Sequence, residues 1–152
     1  MRIKNTSQYN IAELKRLAKY IKGVKTQRVD VLVTMARGNR AYQGWAHFLT
    51  WKKKDKRPWY KITVRIGVPE KFPCFAGMHF KYKRYPIFTY ENWQEAFVGV
   101  LAHELRHNQQ FRLNKKASEI DAGKFEYKSL LRYREAIKEE VKNDRDYIPQ
   151  CI

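Results

Sequence analysis

The chain has very little cysteine. Cys74 and Cys151 are the only two in 152 residues, far apart and in no CxxC pair. A zinc ribbon is therefore excluded, a disulfide framework is not expected, and both thiols read as inert. No apolar run is long enough to span a membrane. Met1 to Asn5 lacks the apolar core of a signal peptide, so a cytoplasmic protein is expected, of a cell or of a phage inside one. Acidic residues are scarce in one part only. Residues 1–90 carry 21 Lys and Arg against 4 Asp and Glu, whereas residues 91–152 carry 11 of each. The net charge of +17 thus lies wholly in the first 90 residues, where it favours anionic partners: nucleic acid, acidic protein or an anionic membrane surface. There is no internal repeat, no low-complexity segment, and no histidine after His107.

What is present suffices for a packed core. The chain is 43% hydrophobic and 14% aromatic, which excludes a disordered protein, and its length suits one domain, 1–152. Asn10 to Lys22 predicts an amphipathic helix, with Ile11, Leu14, Leu17, Ala18 and Ile21 at helical spacing, Ser7 or Asn10 as cap and Gly23 as stop. Arg28 to Met35 predicts a buried strand. Arg37 to Arg40 is a turn signal, and Ala41 to Trp51 predicts the hairpin partner. Lys52 to Pro58 reads as a basic loop. Trp59 to Gly67 is the clearest strand: Tyr60, Ile62, Val64 and Ile66 point one way, Lys61, Thr63 and Arg65 the other. Together the three strands make an antiparallel meander. His79 to Tyr85 interleaves cations with aromatics; the pattern suits single-stranded nucleic acid, but an ordinary half-buried strand or structured loop is the preferred reading. Thr89 can cap a helix over Trp93 to Phe111. Ser118, with Asp121 three residues on, can cap a second.

The chemistry sits in the first of these helices, at His103-Glu104-Leu105-Arg106-His107. On its wheel, His103 and His107 fall between an apolar arc and an arc of Glu95, Arg106, Gln109 and Gln110, where a cleft would form. Two imidazoles four residues apart share a helix face and can hold zinc. The glutamate between them can take a proton from a water activated there. Catalytic zinc takes three protein ligands. The third cannot be a downstream histidine, so a carboxylate is expected: Glu119 first and Asp121 second, since residues two apart on a helix diverge. A simple antiparallel pairing of the helices would instead bring Glu126 level with the histidines. His47 and His79 read as structural or surface residues.

His103-Glu104-Leu105-Arg106-His107, followed by Glu119-Ile120-Asp121-Ala122, resembles the small zincin metallopeptidases of the gluzincin type, among them minigluzincin-like and SprT-like domains. The resemblance implies zinc held by His103, His107 and Glu119, with Glu104 as general base. It also implies a helix, an antiparallel sheet and two active-site helices, and a sheet edge strand that pairs with substrate, for which Trp59 to Gly67 is the natural candidate. The specific match covers residues 93–126. Three features depart from the family pattern. Arg106 is charged in a slot usually filled by an uncharged residue. Gly123 stands where many relatives carry an acid that holds a zinc-bound histidine. The third histidine of SprT itself is missing. For an oxyanion stabiliser, Tyr127 and Tyr133 are the candidates.

The expected fold is α+β and zincin-like: an N-terminal helix, a three- or four-stranded antiparallel sheet and two C-terminal active-site helices. Residues 1–90 form its basic helix-plus-sheet half and 91–152 its active-site half with a short tail. The expected function is a zinc-dependent endopeptidase, acting on polypeptides, including proteins associated with nucleic acid. The rival is a nucleic-acid-binding protein on the same scaffold without peptidase activity. Arg106 and Gly123 favour the rival, and Lys52 to Arg57 would set its salt dependence.

Overall fold

The structure, a computed structural model, describes residues 1–52, 55–76 and 86–146, with backbone alone for 48–52, 55–59 and 144–146. It is an α+β protein. In chain order it runs β1 (Arg2–Asn5), α1 (Ile11–Ala18), β2 (Val29–Met35), β3 (Tyr42–Lys52), β4 (Asp55–Ile66), a single 3-10 turn (Pro69–Lys71), β5 (Cys74–Ala76), β6 (Phe88–Tyr90), α2 (Trp93–Arg112) and α3 (Glu119–Asp146). No helix among the described residues is long and apolar enough to cross a membrane.

The main sheet corrects the expected antiparallel meander. Its order is β1-β2-β4-β3; β1 and β4 both run parallel to β2, and only β3 and β4 are antiparallel. The physical reason is burial. β4 has the most apolar inner face, and it takes the interior position beside β2, where Val29, Val31, Val33, Ile62, Val64 and Ile66 are at most 1% exposed. Each such side chain stabilises the fold by about 1.5–3 kcal/mol. β3 carries only Gly44 and Ala46 opposite Val64 and Ile62 on its inner row and is left at the edge. The edge strand is therefore β3, not Trp59 to Gly67. Lys52 and residues 55–58 of the predicted basic loop are strand, with Lys52 of β3 paired to Asp55 of β4. β1 gives no periodic signal because its inward residues are Ile3 and the polar Asn5; parallel pairing with β2 and an Arg2–Asp30 ion pair hold it. β5 and β6 form a separate two-stranded sheet. His79 to Tyr85 and Cys151 lie outside the described residues. Cys74 is partly buried, and burial pushes its thiol up to about 11, consistent with an inert role.

The helices cover the inner face of the sheet. Asn10 caps α1 by accepting from the backbone N–H groups of Ala12 and Glu13, and Leu14 and Leu17 are wholly buried. α1 ends at Ala18, sooner than its apolar pattern suggests, and Gly23 then supplies a left-handed φ of 86°. Asn92, not Thr89, caps α2; its side chain accepts from the Glu95 N–H, and Thr89 belongs to β6. Ser118 caps α3 as expected, its hydroxyl accepting from the Asp121 N–H at 3.3 Å. α2 is buried almost all round, because α3 packs on the arc expected to face water. Glu95 and Gln110 are only 6% and 4% exposed. Each is satisfied from α3 or its cap: Glu95 by Arg134 at 2.6 and 2.8 Å, Gln110 by Asp121 and Ser118.

Candidate metal centre

α2 and α3 run antiparallel, as their cross-links show in order: Glu95 with Arg134, His103 with Glu126, Arg106 with Asp121. The two candidate carboxylates of α3 meet opposite sides of one imidazole. Glu126 Oε2 lies 2.8 Å from His103 Nδ1, and Glu119 Oε2 lies 3.2 Å from His103 Nε2. Glu119 Oε1 is also 3.3 Å from His107 Nε2, and the two Nε2 atoms are 3.0 Å apart. His103, His107 and Glu119 thus bring three ligand atoms together. A tetrahedral zinc with bonds of about 2.0–2.2 Å sets its ligand atoms roughly 3.3–3.6 Å apart, so the cluster needs to open by only a few tenths of an ångström.

The hydrogen bonds outside the cluster decide which way the lone pairs point. His103 Nδ1 faces the Glu126 carboxylate, so it carries the proton. His107 Nδ1 faces Gln110 Oε1 at 3.0 Å. That amide is oriented by donating to Asp121 at 2.7 Å while its oxygen accepts from the Ser118 N–H at 3.1 Å. His107 therefore donates from Nδ1 as well. Both Nε2 lone pairs and the Glu119 oxygens then converge on one point, and only a cation satisfies three converging acceptors. A proton is one such cation. Burial alone would lower the His103 pKa, but hydrogen bonds to Glu119 and Glu126 and the charges of Glu126 and Glu104 carry it up to about 10. The hydrogen bond to His103 in turn holds Glu119 below the usual carboxylate range.

Glu104 lies outside the cluster, on the side facing the sheet. It is 7% exposed, and burial pushes its carboxyl up to about 7, against the nearby charge of His103 and a hydrogen bond from the Ala46 backbone. β3 closes over it. A Cβ on Gly44 would fall 2.6 Å from Glu104 Oε1 and 2.7 Å from Val100 Cγ1, so glycine is what lets the edge strand lie this close.

Comparison with known proteins gives no match. No family model, curated protein or solved structure resembles the chain closely enough to place it. The site must be read from its own atoms.

Of the residues singled out in the sequence, His103, His107 and Glu119 come together, and Glu104 lies close enough to feel their charges. Asp121 does not join them. Its oxygens accept from Arg106 Nε at 2.7 Å, Arg106 Nη2 at 2.9 Å and Gln110, which fixes the first turn of α3. Arg106 thus has a structural partner within the site. Tyr133 packs edge-on against Tyr20 of the segment after α1, where burial pushes it up to about 12. Tyr127 packs on Phe88. His47 is exposed and touches Thr63, so it plays a surface role.

Sequence reading raises Glu126 only as an alternative ligand level with the histidines, and misses its role as the support of His103, as it misses Gln110 and Tyr90. Glu126 sits two helical turns beyond Glu119, a spacing that puts both on one face and could have suggested a shared target. Gln110 sits one turn beyond His107. Tyr90, wholly buried, donates to Glu126, and nothing in its local sequence announces this. It reaches Glu126 by passing under α2 at Gly99, where an added Cβ would meet the Tyr90 ring at 2.5 and 2.7 Å. Gly99→Ala is expected to overpack this crossing and destabilise the fold by about 1–3 kcal/mol in urea unfolding; an unchanged midpoint would show that the ring can move aside.

Proposed function

We propose that the chain is a zinc-dependent endopeptidase with a zincin-like active site. The observation that carries this is the convergence of two imidazole Nε2 atoms and one carboxylate, with a second, buried carboxylate beside them. Three N and O donors are the ligand set of a catalytic zinc, which keeps a position open for chemistry. His103, His107 and Glu119 would hold the ion, with Glu126 and Gln110 fixing the rings. Zinc bound there supplies Lewis acidity toward a peptide carbonyl and makes water easier to deprotonate. Glu104 takes a proton from the attacking water as the new C–O bond forms. It returns that proton to the amine as the C–N bond breaks. An extended peptide added to the free edge of β3 passes Glu104, which sits against Gly44 and Ala46.

The rival reading, nucleic-acid binding without peptidase activity, draws on Arg106 and Gly123. Arg106 bonds to Asp121, and Glu126 holds His103 where an acid at 123 is lacking. Neither feature argues against catalysis. The test is cleavage of an unstructured protein such as casein. Activity is expected with one equivalent of zinc, lost on chelation and restored by zinc. Lack of cleavage of casein and of a mixed peptide library by the zinc-loaded chain would contradict the proposal.

A further inference from the structure

The metal centre uses one face of the sheet. The other face carries four of the basic residues of the first 90 positions. With Val31, Ile62 and Ala46 pointing inward, their strand neighbours point outward. In register, Arg2 lies beside Asp30, Asp30 beside Lys61, and Lys61 beside His47. In the next row Lys4, Leu32, Thr63 and Trp45 follow one another, and beyond it come Thr34, Arg65 and Gln43. In these three rows the outer face holds four Lys or Arg side chains and one acid. The acid, Asp30, is engaged by Arg2 at 3.0 Å, and so adds little to the field around Lys4, Lys61 and Arg65. A solvated sheet face needs polar residues but no single sign of charge.

Two further features point to a partner. Trp45, on the edge strand β3 at the end of its row, remains 38% exposed, and the Arg65 guanidinium lies 4.7 Å from its ring centroid. An aromatic ring and a guanidinium plane side by side form a platform on which bases stack. The cations also continue round the β1 edge: Arg2 lines a cavity of about 380 Å³ with Lys15 and Lys19 of α1. An anionic membrane would call for several exposed apolar side chains among the cations, and on this face Trp45 is the one large exposed hydrophobic residue described. A duplex would call for an element that enters a groove, whereas this surface is a sheet face, exposed at Lys4, Lys61 and Trp45 and closed at Thr63.

We propose that the outer sheet face binds a single strand of nucleic acid, with phosphates along Lys4, Lys61 and Arg65 and a base stacked on the Trp45–Arg65 pair. The surface is separate from the metal centre, so it stands or falls independently of peptidase activity. β3 belongs to both: Gly44 faces Glu104 while Trp45 faces outward, so a bound strand lies across the sheet from the catalytic side.

The test is fluorescence anisotropy of the full, zinc-loaded chain with a labelled 15-nucleotide oligo-dT over a salt series. Lys4 and Lys61 are exposed, so Lys4→Gln with Lys61→Gln keeps the fold, with thermal melting as the check. This pair is expected to weaken binding at least tenfold at low salt and to flatten the log–log salt slope by about 1.4. Trp45→Leu keeps apolar cover but removes the stacking ring; it is expected to weaken binding about fivefold or more at an unchanged slope. Absence of binding by the wild type overturns the proposal. So do variants that bind like the wild type, a preference for duplex, and capture by phosphatidylserine vesicles without binding of the strand.

Discussion

Glu104→Gln is expected to remove the proposed peptide hydrolysis, a fall in kcat of about 10²–10⁴-fold, and to leave zinc binding intact. The amide has the shape of the carboxylate but takes no proton from water. It changes none of the three atoms that converge on the ion position, because Glu104 is not one of them. The same substitution has a second signature. Burial raises the folded-state pKa of Glu104 to about 7, above its ordinary 4.5, so ionising it in the fold costs stability. That cost is present in full above about pH 7 and absent below about 4.5. Metal-free Glu104→Gln should therefore unfold at higher urea than the metal-free wild type at pH 8, and at a similar concentration at pH 4. Cleavage within tenfold of the wild type would exclude Glu104 as the base.

Zinc affinity is expected to rise steeply with pH, about tenfold per unit through the neutral range. In the metal-free protein His103 holds a proton up to about pH 10, and the ion must displace it. Roughly one proton should appear in solution per zinc bound at pH 7.5, measured as the buffer dependence of the calorimetric heat. The metal-free fold shows the other side of the same linkage. The His103 pKa is raised from 6.5 in the unfolded chain to about 10 in the fold. Its contribution to stability is therefore full below pH 6.5 and lost as pH rises through about 10. Metal-free protein should weaken along that interval, while the zinc-loaded protein, whose His103 needs no proton, should not. Proton-independent binding would mean that His103 is neutral without the ion, and that Glu119 and Glu126 do not flank it in solution.

The helices and the central motif are legible because they are local. The 3.6-residue period reveals α2 and α3, and the i, i+4 histidines need only that period to share a face. Glu119 ranks first among the carboxylates, yet no local pattern brings it to the histidines, because its reach depends on the link between the helices. Asn114 turns left-handed there, at φ 52°, and α3 starts close enough for both Glu119 and Glu126 to touch His103. Sheet order is not legible. Each strand's alternation is local, but which strand lies between which is decided by total burial, and β4 displaces β3 from beside β2 on that ground. Arg106 looks out of place within the motif until α3 is packed on α2, when Asp121 becomes its partner and not a ligand.

The most direct measurement is zinc per chain, by mass spectrometry of protein equilibrated with a slight excess of the metal and then desalted. The wild type and Asp121→Asn should each retain one zinc, because Asp121 bonds to Arg106 and Gln110 and lies outside the ligand cluster. His103→Ala and Glu119→Ala should retain far less than one. A wild type without zinc, or a Glu119→Ala variant that holds it as tightly as the wild type, would contradict a metal centre of His103, His107 and Glu119.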